Sequence, residues 1–268
     1  MRTNTSTAQG LTTRLEQMRP HEEQITKHFG GNMVYLGEAP IFRNPLRLIL
    51  FRNRSGSNLL AEYLASSGHF NRFKEVLNQQ SVRKKSKRLN AGSFPDYLVK
   101  IHAEQCRNSE TFGLKASLDQ LLMLLRCRIN HMYSGIEVVH ITRADLIDQA
   151  VSFSIAKRTK EWTSDRASDI ATQTDFNYAD IDKNLSAACF FNVASPIVCK
   201  LFDVPYQACV YENIVSRPRE TVVEVAKFFG AHLDESFQPT SRIERQANQI
   251  KARYKAQFER RARETLLR

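Results

Sequence analysis

The strongest apolar run in the chain, Leu46-Arg-Leu-Ile-Leu-Phe-Arg52, gives way at once to the small polar stretch Asn53-Arg54-Ser55-Gly56-Ser57-Asn58. Leu59, Leu60, Tyr63 and Leu64 then recur at helical spacing, so the order predicted is strand, tight loop, helix. Three more segments read as strands: residues 111–115, 136–142 (Ile-Glu-Val-Val-His-Ile-Thr, the clearest buried strand) and 206–211. Helical periodicity is predicted over residues 96–108, 118–132, 145–158 and 220–229, and in an amphipathic segment at the C-terminus. Residues 175–202 also read as helical, interrupted near Ser195-Pro196. Ahead of the first strand, residues 1–45 form a polar N-terminal extension with a surface helix over 11–29 and a break at Gly30-Gly31. Residues 46–268 read as one domain. Strands alternating with helices predict an α/β fold: a mainly parallel central sheet flanked by helices, with ligands at the carboxyl ends of the strands.

Charge sharpens this picture. The 268 residues carry a formal net charge of +11, although hydrophobic (42%) and charged (25%) contents are ordinary. Such a surplus favours an anionic partner: nucleic acid, a membrane surface or a polyanionic cofactor. No aromatic-interleaved basic repeat or zinc-finger spacing is present, so nucleic acid is not expected. No apolar run approaches the roughly 18 residues of a membrane span, and Met1-Arg-Thr-Asn-Thr-Ser lacks the apolar core of a secretion signal. A cytoplasmic protein without a transmembrane segment is the expectation. Cys106, Cys127, Cys189, Cys199 and Cys209 include no C-x-x-C pair, so they read as buried free thiols, and no metal site is expected. The densest charge run, Arg83-Lys-Lys-Ser-Lys-Arg88, reads as a solvated face or disordered loop, with a localisation signal or a polyanion patch as alternatives.

The loop carries chemistry of its own. Small residues let backbone N–H groups wrap an anion, the helix N-terminus adds the positive end of its dipole, Arg54 adds a full charge, and Ser55 and Ser57 add hydroxyl donors. The spacing G-x-x-x-x-G-K-[S/T] is absent, which argues against a nucleotide triphosphatase loop.

Arg54-Ser-Gly-Ser-Asn-Leu-Leu60 after a strand resembles the 5′-phosphosulfate loop of sulfotransferases that use 3′-phosphoadenosine 5′-phosphosulfate (PAPS), most closely the bacterial trehalose sulfotransferase family. Three further segments match in order. Arg72-Phe73-Lys74-Glu75-Val76-Leu77-Asn78 is similar to that family's R-P-x-E-x-x-N, whose glutamate is the general base. Arg143-Ala-Asp-Leu-Ile-Asp-Gln149-Ala150-Val151-Ser152 resembles its 3′-phosphate motif. Arg245-Gln246-Ala247-Asn248 is similar to its R-Q-A-D element. Thr111-Phe-Gly-Leu-Lys115 resembles its F-G-V-K segment, and Glu212-Asn-Ile-Val-Ser-Arg-Pro218 a segment that is mainly structural.

The resemblance implies a P-loop-like sulfotransferase fold and transfer of a sulfonate from PAPS to a hydroxyl of a carbohydrate or glycolipid. It implies Glu75 as base and Lys115 as a cation on the transferring group. Arg54, Ser55, Gly56, Ser57 and Asn58 would hold the 5′-phosphosulfate, and Arg143 with Ser152 the 3′-phosphate. Arg245 and Gln246 would reach the cofactor, and Trp162 would line the core or the acceptor pocket. A homodimer is permitted. The chain departs from the pattern at Asn58, Phe73 and Asn248. An ATP-dependent small-molecule kinase, a basic nucleic-acid-binding protein and a degenerate sulfotransferase that binds PAPS without turnover are the competing readings.

Overall fold

Four strands form a wholly parallel sheet in the order β2-β1-β3-β4: β1 (Leu46–Leu50), β2 (Gly113–Ala116), β3 (Ile136–Thr142) and β4 (Tyr206–Val210). The structure is a computed structural model that describes residues 10–106, 111–160, 176–243 and 249–268. Parallel neighbours require crossovers, and helices supply them. Ahead of β1 lie α1 (Leu11–Glu16) and α2 (Pro20–His28). Between β1 and β2 run α3 (Ser57–Ser66), α4 (Gln79–Leu89) and α5 (Phe94–Gln105). The crossover from β2 to β3 holds α6 (Leu118–Arg126) and a 3₁₀ turn, and that from β3 to β4 holds α7 (Leu146–Thr159) and α8 (Tyr178–Leu201). After β4 come α9 (Tyr211–Ser216), α10 (Pro218–Phe228) and α11 (Gln249–Leu266). From β1 the chain crosses first to β2 on one side and then to β3 on the other. The crevice between the carboxyl ends of β1 and β3 is therefore the topological switch point, where open parallel sheets take their ligands.

All five residues of β1 are buried, because both sheet faces are covered. Leu46, Leu48, Leu50 and Val138 face the larger layer, packed with residues of α2, α4, α5, α6 and α8 such as Ile25, Val82, Tyr97, Leu121 and Phe191. Ile49, Val139 and Ile141 face the smaller layer, built from α3 and α10 around Leu60, Leu64, Val222 and Val225. A third apolar cluster joins α7, α8 and α11 through Val151, Ile155, Ile181, Tyr254 and Phe258. A charged pair sits inside the sheet. Arg47 is 8% exposed, donates to the Phe229 carbonyl at 2.8 Å and pairs with Glu137, its neighbour in register, at 3.3 Å. Phe229 caps the C-terminus of α10, where a cation meets the negative end of the helix dipole.

Several elements differ from the sequence reading. The single helix over 11–29 is two, because Pro20 opens α2 at its first turn. Ile25 on α2 is fully buried, so this segment contributes to the core rather than lying on the surface. The basic run is helical: Asn78 caps α4 by accepting from the Ser81 N–H, and Val82 and Ser86 form its buried stripe. Helix α6 stops at Arg126, ahead of Arg128 with φ 56.

Nor does Pro196 interrupt α8, which runs through it for 24 residues. Pro196 is half-buried, and beside it the Ser195 hydroxyl donates to the Phe191 carbonyl at 2.7 Å. Helix α8 is also the one described helix long and apolar enough to span a membrane by length and composition, although its Phe191, Ala194 and Val198 pack into the core. Cys127, Cys199 and Cys209 are buried free thiols, but Cys106 is only half-buried and Cys189 is exposed on α8. Trp162 lies outside the described residues.

Candidate functional site

The loop leaving β1 turns through two left-handed residues, Arg54 (φ 66) and Gly56 (φ 91). The Ser55 N–H bonds the Arg52 carbonyl at 3.2 Å, and Gly56 opens α3 with no side-chain cap. Such alternation turns successive N–H groups toward one concavity, beside the unsatisfied donors of the helix N-terminus. Ser55 is 1% exposed, and its hydroxyl finds no hydrogen-bond partner among the described residues. A buried hydroxyl without a partner is able to donate to a polar guest that enters the loop. Gly56 is required sterically as well, since a Cβ there would enter the Tyr211 ring. Ser57 is buried in the first turn of α3, and Asn58 follows it on the exposed side.

From the β3 side the loop is held by its neighbour. Thr142 pairs with Val210 in register, which sets Arg143 beside Tyr211 and Glu212. The Arg143 guanidinium lies 4.2 Å from the Tyr211 ring centroid, on the ring that closes over Gly56. Its Nε donates to Glu212 at 3.2 Å, its second nitrogen to the Arg54 carbonyl at 3.2 Å, and its third to Asp148 at 2.8 Å. Glu212 also accepts from the Ala144 N–H at 3.0 Å. Arg54 donates through Nε to the Ser152 hydroxyl at 2.9 Å, and Gln149 donates to the Asn53 carbonyl at 3.1 Å. Arg54, Arg143 and Ser152 thus meet across the switch point. Burial, then the neighbouring Arg143, lowers the Arg54 guanidinium from its ordinary value. Packing two guanidinium groups this closely costs free energy, which an anion between them would recover.

Helix α11 closes the same side. Lys251 bonds Asp148 at 2.9 Å, and Lys255 bonds Asp145, the N-cap of α7. Burial alone would raise the Asp145 carboxyl, but hydrogen bonds from Lys255 and from the Asp148 N–H bring it below its ordinary value.

On the β2 side, residues 70–75 run along the strand. Phe70 and Thr111 form a parallel bridge. The Asn71 amide donates to the Gly113 carbonyl at 3.0 Å and its oxygen accepts from the Gly113 N–H at 2.9 Å, while the Lys115 N–H reaches the Lys74 carbonyl at 3.3 Å. Phe73 takes a left-handed φ of 40 and buries its ring against Gly113 and, at 5.9 Å between centroids, Phe229. Proline cannot adopt that φ, so its replacement by Phe73 comes with a different backbone turn. The turn delivers Glu75 to Lys115: Lys115 is 6% exposed and its ammonium lies 2.8 Å from the Glu75 carboxylate, which keeps 46% of its side chain open to solvent. The same ammonium donates to the Asn58 side-chain oxygen.

The sequence-predicted residues therefore converge in two groups. Glu75, Lys115 and Asn58 meet at the ends of β2 and β1, and Arg54, Arg143 and Ser152 at the ends of β1 and β3, with Ser55, Gly56 and Ser57 between them. Arg245, Gln246 and Asn248 lie outside the described residues. The ion pairs of Arg143 are made with Asp148 and Glu212. Tyr211 and Asp148 were not singled out for the site, whereas Gln149 stands in the segment that resembles the 3′-phosphate motif and Glu212 opens the one that is mainly structural, with no catalytic role expected of it. Among the described residues no cluster of His, Cys, Asp and Glu could hold a metal ion.

Residues 47–261 match the family model described as Stf0 sulphotransferase. Among solved structures, the sulfotransferase domain of the olefin synthase from Synechococcus PCC 7002 superposes with a TM-score of 0.50 at 13% identity, covering 84% of this chain and 98% of its own. A sulfotransferase from Alicyclobacillus acidocaldarius gives 0.49 at 14% identity, covering 81% and 94% respectively. Sulfotransferase STF1 from Mycobacterium tuberculosis H37Rv gives 0.43 at 11%, covering 82% and 75%. No curated protein sequence matches the chain.

Proposed function

Since the chain belongs to the Stf0 sulphotransferase family, we propose that it transfers a sulfonate group from PAPS to a hydroxyl of a carbohydrate or glycolipid. The observation that carries the choice of donor is the orphaned, buried Ser55 hydroxyl in a doubly left-handed loop, set between two arginines at the switch point. The donor set fits a nucleotide with anionic groups at both ends. The Arg54–Ser57 loop and the start of α3 suit the 5′ end, and Arg143 with Ser152 suits a 3′-phosphate, the group that distinguishes PAPS from ATP.

PAPS supplies an activated sulfur whose bond to the 5′-phosphate oxygen breaks as a bond to the acceptor oxygen forms. Glu75 takes the acceptor's hydroxyl proton as that oxygen attacks. Lys115 holds Glu75 in place and puts a positive charge beside the developing one. Glu212 and Asp148 fix the Arg143 guanidinium, so little ordering is left to be done when the anion arrives.

Calorimetric titration with adenosine 3′,5′-bisphosphate, the desulfonated product, alongside ATP and ADP tests the donor. Micromolar binding of the bisphosphate with little response to ATP is expected. Equal or tighter binding of ATP would place a kinase first, and silence from all three would favour the nucleic-acid reading.

A further inference from the structure

We infer that the acceptor is itself anionic, a glycan or glycolipid already bearing phosphate, sulfate or carboxylate, and that the cations flanking Glu75 recognise that charge. The inference rests on the sulfotransferase reading above and concerns the side of the site facing away from the nucleotide.

Across the strand ends, the arginine and serine groups for the donor lie at β1 and β3, whereas Glu75 and Lys115 lie at β2, the edge of the sheet. An acceptor meeting Glu75 approaches from that edge. Here the surface is heavily basic. Between Arg72 and Arg88 the sequence holds seven cations, Arg72, Lys74, Arg83, Lys84, Lys85, Lys87 and Arg88, against the single carboxylate of Glu75. In the Glu75 segment Asn71 and Phe73 are buried, so the alternation turns Arg72 and Lys74 out to solvent on either side of Phe73. The chain then passes directly into α4, whose Val82 and Ser86 face the core and whose Arg83, Lys84, Lys87 and Arg88 face water. Asn78, the N-cap of α4, lies three residues after Glu75, so the basic helix follows the Glu75 segment without an intervening element.

Two observations separate this patch from an ordinary solvated face. First, it is not neutralised. Among the described residues only Arg88 has an acidic partner, Glu104 at 2.6 Å, and Arg72, Lys74, Arg83, Lys84, Lys85 and Lys87 make no ion pair. Second, it flanks the base directly: Arg72 and Lys74 are exposed on either side of buried Phe73 and lead straight into exposed Glu75, and repulsion from Lys74 adds to burial, against Glu104, in lowering the Lys85 ammonium. Like charges held together without counter-charges cost stability and are retained where an anion offsets them. The donor's own phosphates do not account for them, because Lys115 and Glu75 stand between the patch and the Arg54–Ser57 loop.

The test uses the whole chain and sulfur-labelled PAPS, with matched acceptors offered in pairs: trehalose against trehalose 6-phosphate, and neutral maltooligosaccharides against their partially sulfated forms. The charged member of a pair should be labelled at least about 10-fold faster at low salt, and raising the ionic strength should erase the difference. The double variant Lys74→Gln/Lys85→Gln should raise KM for the charged acceptor about 10-fold with kcat held and adenosine 3′,5′-bisphosphate affinity within about two-fold. Equal or faster labelling of neutral members would overturn the inference, as would a charge preference untouched by the double variant. Capture of the protein by anionic vesicles or RNA, with no labelled sugar and with bisphosphate binding intact, would overturn it in favour of a polyanionic surface. Failure of the wild-type chain to bind the bisphosphate would instead remove the sulfotransferase reading beneath it.

Discussion

Replacing Gly56 with alanine strikes the anion loop where it is tightest. Gly56 stands at φ 91, ψ 13, a conformation costing an L-residue roughly 1–2 kcal/mol. Its new methyl would also enter the Tyr211 ring, and forcing an extra carbon into filled space costs about 1–3 kcal/mol more. The sum is about 2–5 kcal/mol, which at about 2–4 °C per kcal/mol for a chain of this size lowers Tm on the order of 10 °C. Affinity should suffer as well, because the same ring lies 4.2 Å from the Arg143 guanidinium. Loss of one well-placed charge-assisted contact, about 1.5–3 kcal/mol, weakens adenosine 3′,5′-bisphosphate by about 10- to 150-fold. The steric and conformational parts separate in a Tyr211→Ala background. There the overlap is gone, and Gly56→Ala should cost only its conformational share, leaving a coupling of about 1–3 kcal/mol between the two sites. Thermal unfolding and calorimetry of the four proteins complete the cycle. Additive effects, or a Gly56→Ala chain that unfolds and binds like wild type, would refute the packing of Tyr211 on the loop.

Three further outcomes are expected. Glu75→Gln should lower kcat by ~10²-fold or more while leaving bisphosphate affinity nearly intact; wild-type turnover in that variant would remove Glu75 from the reaction. Asn71→Ala strips partners from a buried N–H and a buried carbonyl of Gly113 at once, so urea unfolding should show a loss of about 2–4 kcal/mol, and a loss under about 0.5 kcal/mol would mean that Asn71 does not anchor the segment. His140 is fully buried against Phe191 and the Tyr206 hydroxyl, and burial lowers its pKa from 6.5 to about 4. The unfolded chain therefore binds a proton that the folded chain refuses: stability is complete above pH 6.5 and falls by up to about 3 kcal/mol as pH drops toward 4. His140→Gln should flatten that slope, and an unchanged slope would assign it to other groups.

The strands were legible because their residues behave alike wherever they sit. The run from Leu46 and the segment 136–142 are largely buried on both faces, so a dense apolar stretch, broken only by Arg47 in the one and by Glu137 and His140 in the other, marked each. The loop was legible from local chemistry, since small residues followed by helical spacing state their own geometry. What escaped was set by partners remote in sequence. Lys115 meets Glu75 only because residues 70–75 run beside β2, and Arg143 meets Glu212 only because Thr142 pairs with Val210. Helix α4 escaped for another reason. Five charges in six positions outweighed the stripe of Val82, Ser86 and Leu89, which needed a core to reveal it. Pro196 misled because a proline removes one bond of the helical ladder, and the rest of the 24-residue α8 carries the helix through it.

The lysines of α11 tie the site to the order of synthesis. Lys251 is 103 residues beyond Asp148 and Lys255 is 110 beyond Asp145. At roughly 5–20 residues per second, the N-terminus of α7 waits about 5–20 s after leaving the ribosome for its counter-charges. Over the same interval Tyr254 and Phe258 are missing from the seam between α7 and α8, leaving Val151, Ile155 and Ile181 uncovered. A nascent chain stalled or clipped ahead of Lys251 would display an apolar seam beside an Asp145 carboxylate without its lysine, while Asp148 would keep only Arg143. Closing that seam is left to α11, the element made latest among those that build this side of the site.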